Sequence, residues 1–367
     1  MKYTVDKSKR PVYLQIYKQM KEDIVSGAYS YGSKLPSKRF LASEIGVSSI
    51  TVEHAYGLLC EEGYAEARER SGYIVIFRQT DGFAASKESK TQSAPVGEKN
   101  EIMADYPGFS VSVFSKTMRR VLSDYQDVIF EKSPNEGLFK LRNAIKQYLL
   151  RNRNINVDTE QIIIGAGAEY LYGLITCLLG RDKIFAIEYP SYHKLEQIYN
   201  ASGVRTELLP LCEDGIDSAA LSNSTADVLH TTPYRSYPTG VTASANKRHE
   251  YIRWASKSDR FIIESDYGSE FSVATGPTET LFVLTKNDNV IYLNTFSKTL
   301  SPSMRISYMV LPKKLLTDYR EKLGFYSCTV PTFEQYVLAE LIEGGDFERH
   351  INRIRRSIRK ELEEKHG

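Results

Sequence analysis

From residue 161 onward the chain alternates short buried runs with helix-length segments, and no other feature narrows the fold as far. Gln161-Ile162-Ile163-Ile164 is a β-branched run, and Gly165-Ala166-Gly167-Ala168 turns from it straight into a helical stretch over 169–179. Further runs over 183–187, 204–208, 227–230 and 261–263 are separated by helical patterns over 191–202 and around 247–258. Short apolar runs without polar alternation read as strands covered on both faces. Interleaved with helices, they predict a mostly parallel α/β sheet with crossover helices. Small residues between a buried strand and a helix start leave backbone N–H groups free for a phosphate, although a short glycine turn alone is a weak signal.

The stretch Asn294-Thr295-Phe296-Ser297-Lys298-Thr299-Leu300-Ser301-Pro302-Ser303-Met304-Arg305 sits between two more apolar runs, 290–293 and 306–311. A lysine between buried strands, with hydroxyls just before it and an arginine seven residues later, fits a Schiff-base lysine whose neighbours hold a phosphate. Pyridoxal phosphate requires that arrangement. For an isolated Ser-Lys pair, a loop lysine reaching solvent is the commoner reading.

The first 78 residues have a different texture. Pro11 opens a helical pattern carrying Val12, Ile16, Met20 and Ile24, which Gly27 closes. Ser37 caps a second helix with Phe40, Leu41 and Ile45 on one face, ended by Gly46. Val47-Ser48-Ser49 caps a third, running to Glu62, and Gly63 ends it. Extended pieces over 64–68 and 72–77 follow, joined by Glu69-Arg70-Ser71. Periodicity alone fits a winged helix-turn-helix and a small helical interaction module equally well. With 12 Lys/Arg against 9 Asp/Glu, this segment carries only a weak basic excess. Over 79–104 no apolar period survives, and the stretch reads as a flexible linker to a second domain over 105–367.

Composition excludes several classes. The formal charge of +2 over 367 residues argues for neither a strongly basic nor a strongly acidic partner for the chain as a whole. Cys60, Cys177, Cys212 and Cys328 lie far apart, without CxxC or a histidine at ligand spacing, so no metal site or disulfide frame is expected. Residues 1–10 form no secretory h-region and no run is long enough to span a membrane, so a cytoplasmic protein is expected.

The letters of the first segment go further. Pro11-x-Tyr13-x-Gln15-Ile16, Lys34-Leu35-Pro36-Ser37-x-Arg39-x-Leu41-Ala42, Gly46-Val47-Ser48-x-x-Thr51-Val52-x-x-Ala55-Tyr56 and Glu62-Gly63-Tyr64 closely resemble the GntR-type DNA-binding domain. The resemblance implies double-stranded DNA as partner. Ser37 and Arg39 would hold phosphates, Ser48, Ser49 and Thr51 would stand at the recognition-helix start, and Gly72 at the wing tip. The family usually has arginine where this chain has Ser49, so a bidentate contact is absent there.

Five motifs in the second part fall in the order of a pyridoxal-phosphate enzyme of the aspartate-aminotransferase fold. They are Gly165-Ala166-Gly167-Ala168, Tyr189-Pro190-Ser191-Tyr192, Tyr237-Pro238-Thr239-Gly240, Glu264-Ser265-Asp266-Tyr267, and Ser297-Lys298 with Arg305. Joined to the N-terminal segment, they make the chain resemble a MocR-type transcriptional regulator: a mainly α winged helix-turn-helix fused to an aminotransferase-like α/β domain. By that resemblance pyridoxal 5'-phosphate is the cofactor and Lys298 its covalent anchor. Thr295, Ser297, Arg305 and the amides of Gly167 and Ala168 would hold the phosphate. Tyr192 would stack on the ring and Tyr267 would hydrogen-bond its hydroxyl.

Two departures bear on catalysis. The family normally has Asp-Asp before the tyrosine, its first member pairing with the ring nitrogen; here Ser265 stands there, with Asp266 the candidate to substitute through a small backbone shift. Family members also continue beyond the last helical segment, 347–365, into a small subdomain carrying an arginine that clamps a substrate carboxylate, and that subdomain is read as missing here. The expected function is therefore a DNA-binding regulator whose aminotransferase-like domain senses a small amine or amino acid and forms a head-to-tail homodimer. The alternatives are an active aminotransferase and a degenerate regulator without the cofactor.

Overall fold

The computed structural model describes residues 3–6, 11–68, 71–77, 108–272 and 279–366. The chain divides into two compact units, Met1–Gly97 and Glu98–Gly367. The segment 79–104 and the turn residues Glu69 and Arg70 lie outside the described residues.

Caps decide where the helices of the first unit begin and end. Helix α1 (Val12–Val25) starts after Pro11. Helix α2 (Lys38–Ile45) begins where the Ser37 side chain accepts from Phe40 N, and stops at Gly46 in the left-handed region. Helix α3 (Ser49–Glu61) is capped by Ser48, whose hydroxyl accepts from Thr51 N at 3.1 Å. Strands β1 (Ala65–Arg68) and β2 (Gly72–Val75) then form an antiparallel hairpin with Arg68 opposite Gly72. Ile16, Met20, Leu41, Val52, Tyr56, Leu59 and Val75 close one shared core. The Tyr56 hydroxyl donates to Pro36 O at 2.9 Å. This is the winged helix-turn-helix outline expected of the segment.

The second unit is built on one sheet. Helices α4 (Val111–Tyr125) and α5 (Phe139–Arg153) precede strand β3 (Ile162–Gly165), which feeds helix α6 (Ala168–Leu179). Then come β4 (Ile184–Tyr189), α7 (His193–Ala201), β5 (Arg205–Cys212), the short β6 (Gly215–Ile216), α8 (Ser218–Asn223) and β7 (Val228–Thr231). They are followed by α9 (Ala245–Ser256), β8 (Phe261–Ser265), the single-turn α10 (Leu281–Leu284), β9 (Val290–Thr295) and β10 (Ser307–Val310). Helices α11 (Leu316–Leu323), α12 (Thr332–Glu343) and α13 (Asp346–His366) complete the order.

The strands lie in the order β3-β10-β9-β8-β7-β4-β5-β6. From β9 through β8, β7 and β4 to β5 every pairing is parallel, as the alternation predicts. Strand β10 instead runs antiparallel to both β9 and β3, because a tight connection over 296–306 returns the chain directly beside β9 without a crossover helix. One sheet face is covered by α6, α7 and α11, where Leu171, Ile175, Tyr199 and Tyr319 meet Ile187 and Ile291. Helix α13 closes another part of the core with Phe347, Ile351, Ile354 and Ile358, a stripe at helical spacing. Among the described residues no helix is long and apolar enough to cross a membrane.

Candidate functional site

The site lies at the C-terminal ends of the parallel strands, where a cavity of about 430 Å³ opens. Lys298 enters it from the connection between β9 and β10. Every residue of β9 is buried, and the connection is pinned at its base: Phe296 N donates to Ile306 O at 2.9 Å and Ser297 Oγ to Met304 O at 3.1 Å. The lysine amine lies 4.4 Å from the Tyr267 ring centroid. It occupies space that a side chain at position 268 would take, since a Cβ on Gly268 would lie 2.6 Å from Lys298 Nζ. Burial lowers the pKa of this amine, the Arg235 charge lowers it further, and Glu270 opposes both. The result is an amine more readily deprotonated, and so more nucleophilic, than an exposed lysine.

One end of the cavity is built for an anion. Ser307 of β10 pairs with Gly165 of β3, so Arg305, just before β10, is brought beside Gly167, just after β3. Gly167 has φ +93°, and a Cβ there would lie 2.5 Å from Arg305 Nη2, so only glycine leaves the guanidinium its place. The first-turn amides of α6 have no acceptor within the helix, and Gly167 has no side chain to cap them. Arg305 is engaged by Glu169 at 3.1 Å, and Lys194 approaches the same carboxylate at 3.7 Å. The hydroxyls of Thr295 and Ser297 donate to the carbonyls of Ile306 and Met304, and Thr295 Oγ1 also accepts from Ser297 N at 3.2 Å, so both brace the connection.

At the opposite end the aromatic residues Tyr192 and Tyr267 line the cavity together with Tyr172, His230 and Ser265. Burial pushes the His230 imidazole down to about 3, and its Nδ1 lies 2.6 Å from the Tyr199 hydroxyl, so the ring is neutral. Asp266 is not part of this wall, contrary to the expectation that a small shift brings it to a ring. Its carboxylate points into the core, 2.8 Å from Arg153 at the end of α5 and 2.6 Å from the Tyr292 hydroxyl. Successive residues at a strand end face opposite ways, so with Ser265 turned to the cavity Asp266 is turned from it. Glu270 joins the same buried group, its Oε1 accepting from Asn294 at 2.7 Å and its Oε2 unpartnered. Burial, with the Asp266 charge behind it, pushes Glu270 up to about 7.

Arg235 was not singled out in the sequence, although it stands two residues before the Tyr237-Pro238 pair. It lines the cavity from a left-handed backbone position, φ +49°, steadied by its amide donating to Thr242 Oγ1 at 3.1 Å. Among the described residues no carboxylate pairs with its guanidinium. The neighbouring Ser236 instead serves the buried Glu188, donating to it at 2.6 Å.

In the first unit the expected DNA-binding residues fall at the start of α2, the start of α3 and the β-hairpin. Ser37 and Ser48 use their hydroxyls as caps, while Arg39 and Ser49 are exposed and Thr51 is half-buried. Gly72 opens β2 with φ +94°, close to the Lys34 side chain.

Two family models match the chain: bacterial regulatory proteins of the gntR family over residues 12–75, and aminotransferase class I and II over residues 105–365. Among curated proteins, an uncharacterized HTH-type transcriptional regulator of Bacillus subtilis (strain 168), YdeL, is 33% identical over 357 residues, covering 95% of this chain and 77% of that protein. The probable rhizopine catabolism regulatory protein MocR of Rhizobium meliloti is 26% identical, covering 94% of this chain and 74% of its own. Of solved structures, the kynurenine aminotransferase of Pyrococcus horikoshii superposes with a TM-score of 0.62 at 25% identity, over 70% of this chain and 66% of that one. The chain thus spans about two thirds of the length of that enzyme. It belongs to the MocR-type HTH transcriptional regulators, in which a gntR-family domain is fused to an aminotransferase class I and II domain.

Proposed function

We propose that this regulator binds double-stranded DNA through residues 1–78 and holds pyridoxal 5'-phosphate in the domain over 105–367 as the sensor for a small amine or amino acid. The observation that carries the reading is the unequal furnishing of the cavity: a shielded lysine and an anion cradle, with no carboxylate at Ser265. The cradle at Gly167, the guanidinium of Arg305 and the amine of Lys298 fit a phosphate ester and an aldehyde carbon. When bound, the cofactor supplies an aldehyde that captures primary amines and, given a protonated ring nitrogen, an electron sink.

The chain's own groups divide the work. Lys298 anchors, and the amide of Ala168 with Arg305 receives the phosphate beside Thr295 and Ser297, while the Gly167 amide, expected to share that role, already donates to Gly165 O at 2.9 Å. Tyr192 stacks on the ring and Tyr267 bonds its hydroxyl. Ser265 and the neutral His230 cannot hold a proton on a ring nitrogen as a carboxylate does, which favours capture of a ligand over its turnover. Arg235, a cation without a carboxylate partner among the described residues, supports an effector bearing an anionic group, hence an amino acid over a plain amine. A helix-turn-helix reader on paired half-sites supports a homodimer, which we take to be head-to-tail and cytoplasmic.

Incubation with pyridoxal phosphate tests the sensor: a band near the visible edge is expected, absent after borohydride or in Lys298→Ala. No band would leave a DNA-binding regulator without the cofactor. Gel shift on the upstream DNA at rising salt tests the reader, and binding indifferent to sequence would sink it. Keto-acid formation from an amino-acid panel, lost in Lys298→Ala, would make the chain an active aminotransferase instead.

A further inference from the structure

Helix α3 offers an unusual set of groups for reading DNA. It contains no lysine or arginine at all. Most polar side chains of its exposed N-terminal face are already engaged. The Ser48 hydroxyl caps Thr51 N at 3.1 Å and lies 2.8 Å from Thr51 Oγ1. The Glu53 carboxylate is held by Lys38 at 2.6 Å, and the His54 ring stands edge-on to Tyr13 at 5.9 Å. What remains in the first turn is the Ser49 hydroxyl and the side chain of Ile50. Ile50 is 63% exposed, more than Phe40 at 60% or Tyr31 at 55%, the other large apolar side chains exposed among the described residues of this unit.

The edges of base pairs in the major groove present hydrogen-bonding atoms and one apolar group, the 5-methyl of thymine. Bidentate recognition of guanine needs an arginine or lysine, and α3 has neither. We infer that Ile50 is a specificity-determining residue, set to contact the thymine 5-methyl group in each half-site. This rests on the reading of the N-terminal unit as a DNA-binding domain. Removing one methyl-sized contact from water is worth about 0.8 kcal/mol, which converts to about a fourfold change in affinity.

The test uses the full-length chain. Duplexes it retains are selected from a randomised pool, and each thymine of the recovered half-site is then replaced by deoxyuridine, which keeps every hydrogen bond and removes only the methyl. At one or more positions the replacement should weaken the wild-type protein about fourfold per methyl, while I50A binds both versions alike. Ile50 is exposed, so this variant leaves the core of the unit untouched. Recovered sites without a fixed thymine, uracil sites bound as well as thymine sites, or a preference for thymine retained by I50A each overturn the inference. A pool that yields no enriched sequence overturns the DNA-binding reading itself and this inference with it.

Discussion

At one end of the cavity, Gly167, the start of α6 and Arg305 converge as an anion-binding corner. At the other, Ser265 and a neutral His230 line the wall, and both acidic neighbours of Ser265 are engaged elsewhere, Glu264 with the amides of Leu281 and Phe282 and Asp266 with Arg153 and Tyr292. The two ends therefore answer to different demands. Holding an anion needs positive charge and free amides, which the first end supplies. Strengthening a ring as an electron sink needs a buried anion facing it, and the second end has turned its anion toward the core. Binding and chemical activation are separable within one fold.

The sharpest break in this contrast is Lys298→Ala, which should abolish the borohydride-sensitive absorbance completely while leaving thermal unfolding of the free chain nearly unchanged. Next is Arg153→Met. Asp266 is then left buried without its cation, and the loss should be about 3–5 kcal/mol of stability by chemical denaturation. If Asp266 served the cavity, the same variant would chiefly alter the absorbance of the loaded protein, and the contrast would fail.

Glu270 sharpens the picture through pH. Its folded-state pKa of about 7 stands above its ordinary 4.5, so the folded protein binds the proton more tightly than the unfolded chain. Stability from this group is full below about pH 4.5 and declines as pH rises to 7, by up to about 3 kcal/mol. Glu270→Gln should match wild type near pH 4.5 and exceed it at pH 8 in denaturation midpoints.

Smaller effects probe the anion corner. Arg305→Met removes a charged donor and should weaken cofactor binding by about 1.5–3 kcal/mol, read as roughly a 10- to 100-fold rise in Kd. Glu169→Gln frees Arg305 from an exposed ion pair, and should tighten the same Kd by under about 1 kcal/mol.

Much of this arrangement was legible in the residues. The run 290–293, the Ser297-Lys298 pair and Arg305 locate the lysine connection, because a buried strand on either side leaves the intervening residues one place to be. Caps at Ser37 and Ser48 foretold α2 and α3 to within a residue. The orientation of Asp266 was not legible, since position 265 ends a strand and either neighbour there can face the cavity. Its partner Arg153 lies 113 residues earlier, at the end of another helix, and no local pattern joins them. The antiparallel course of β10 escaped for a related reason: an apolar run of four residues carries no direction. Helix α4 went unread because it begins without a side-chain cap, close after a polar stretch.

Among the described strands β3 is the margin of the sheet, held on one side only, by β10. A dianion shared between the α6 amides and Arg305 would fasten that margin across two segments far apart in the chain. Occupancy then becomes visible as slowed amide hydrogen exchange along Ile162–Gly165. At a hundredfold excess over Kd the protection of globally exchanging amides should rise by about 2.7 kcal/mol. The sheet edge itself would report whether the regulator is loaded.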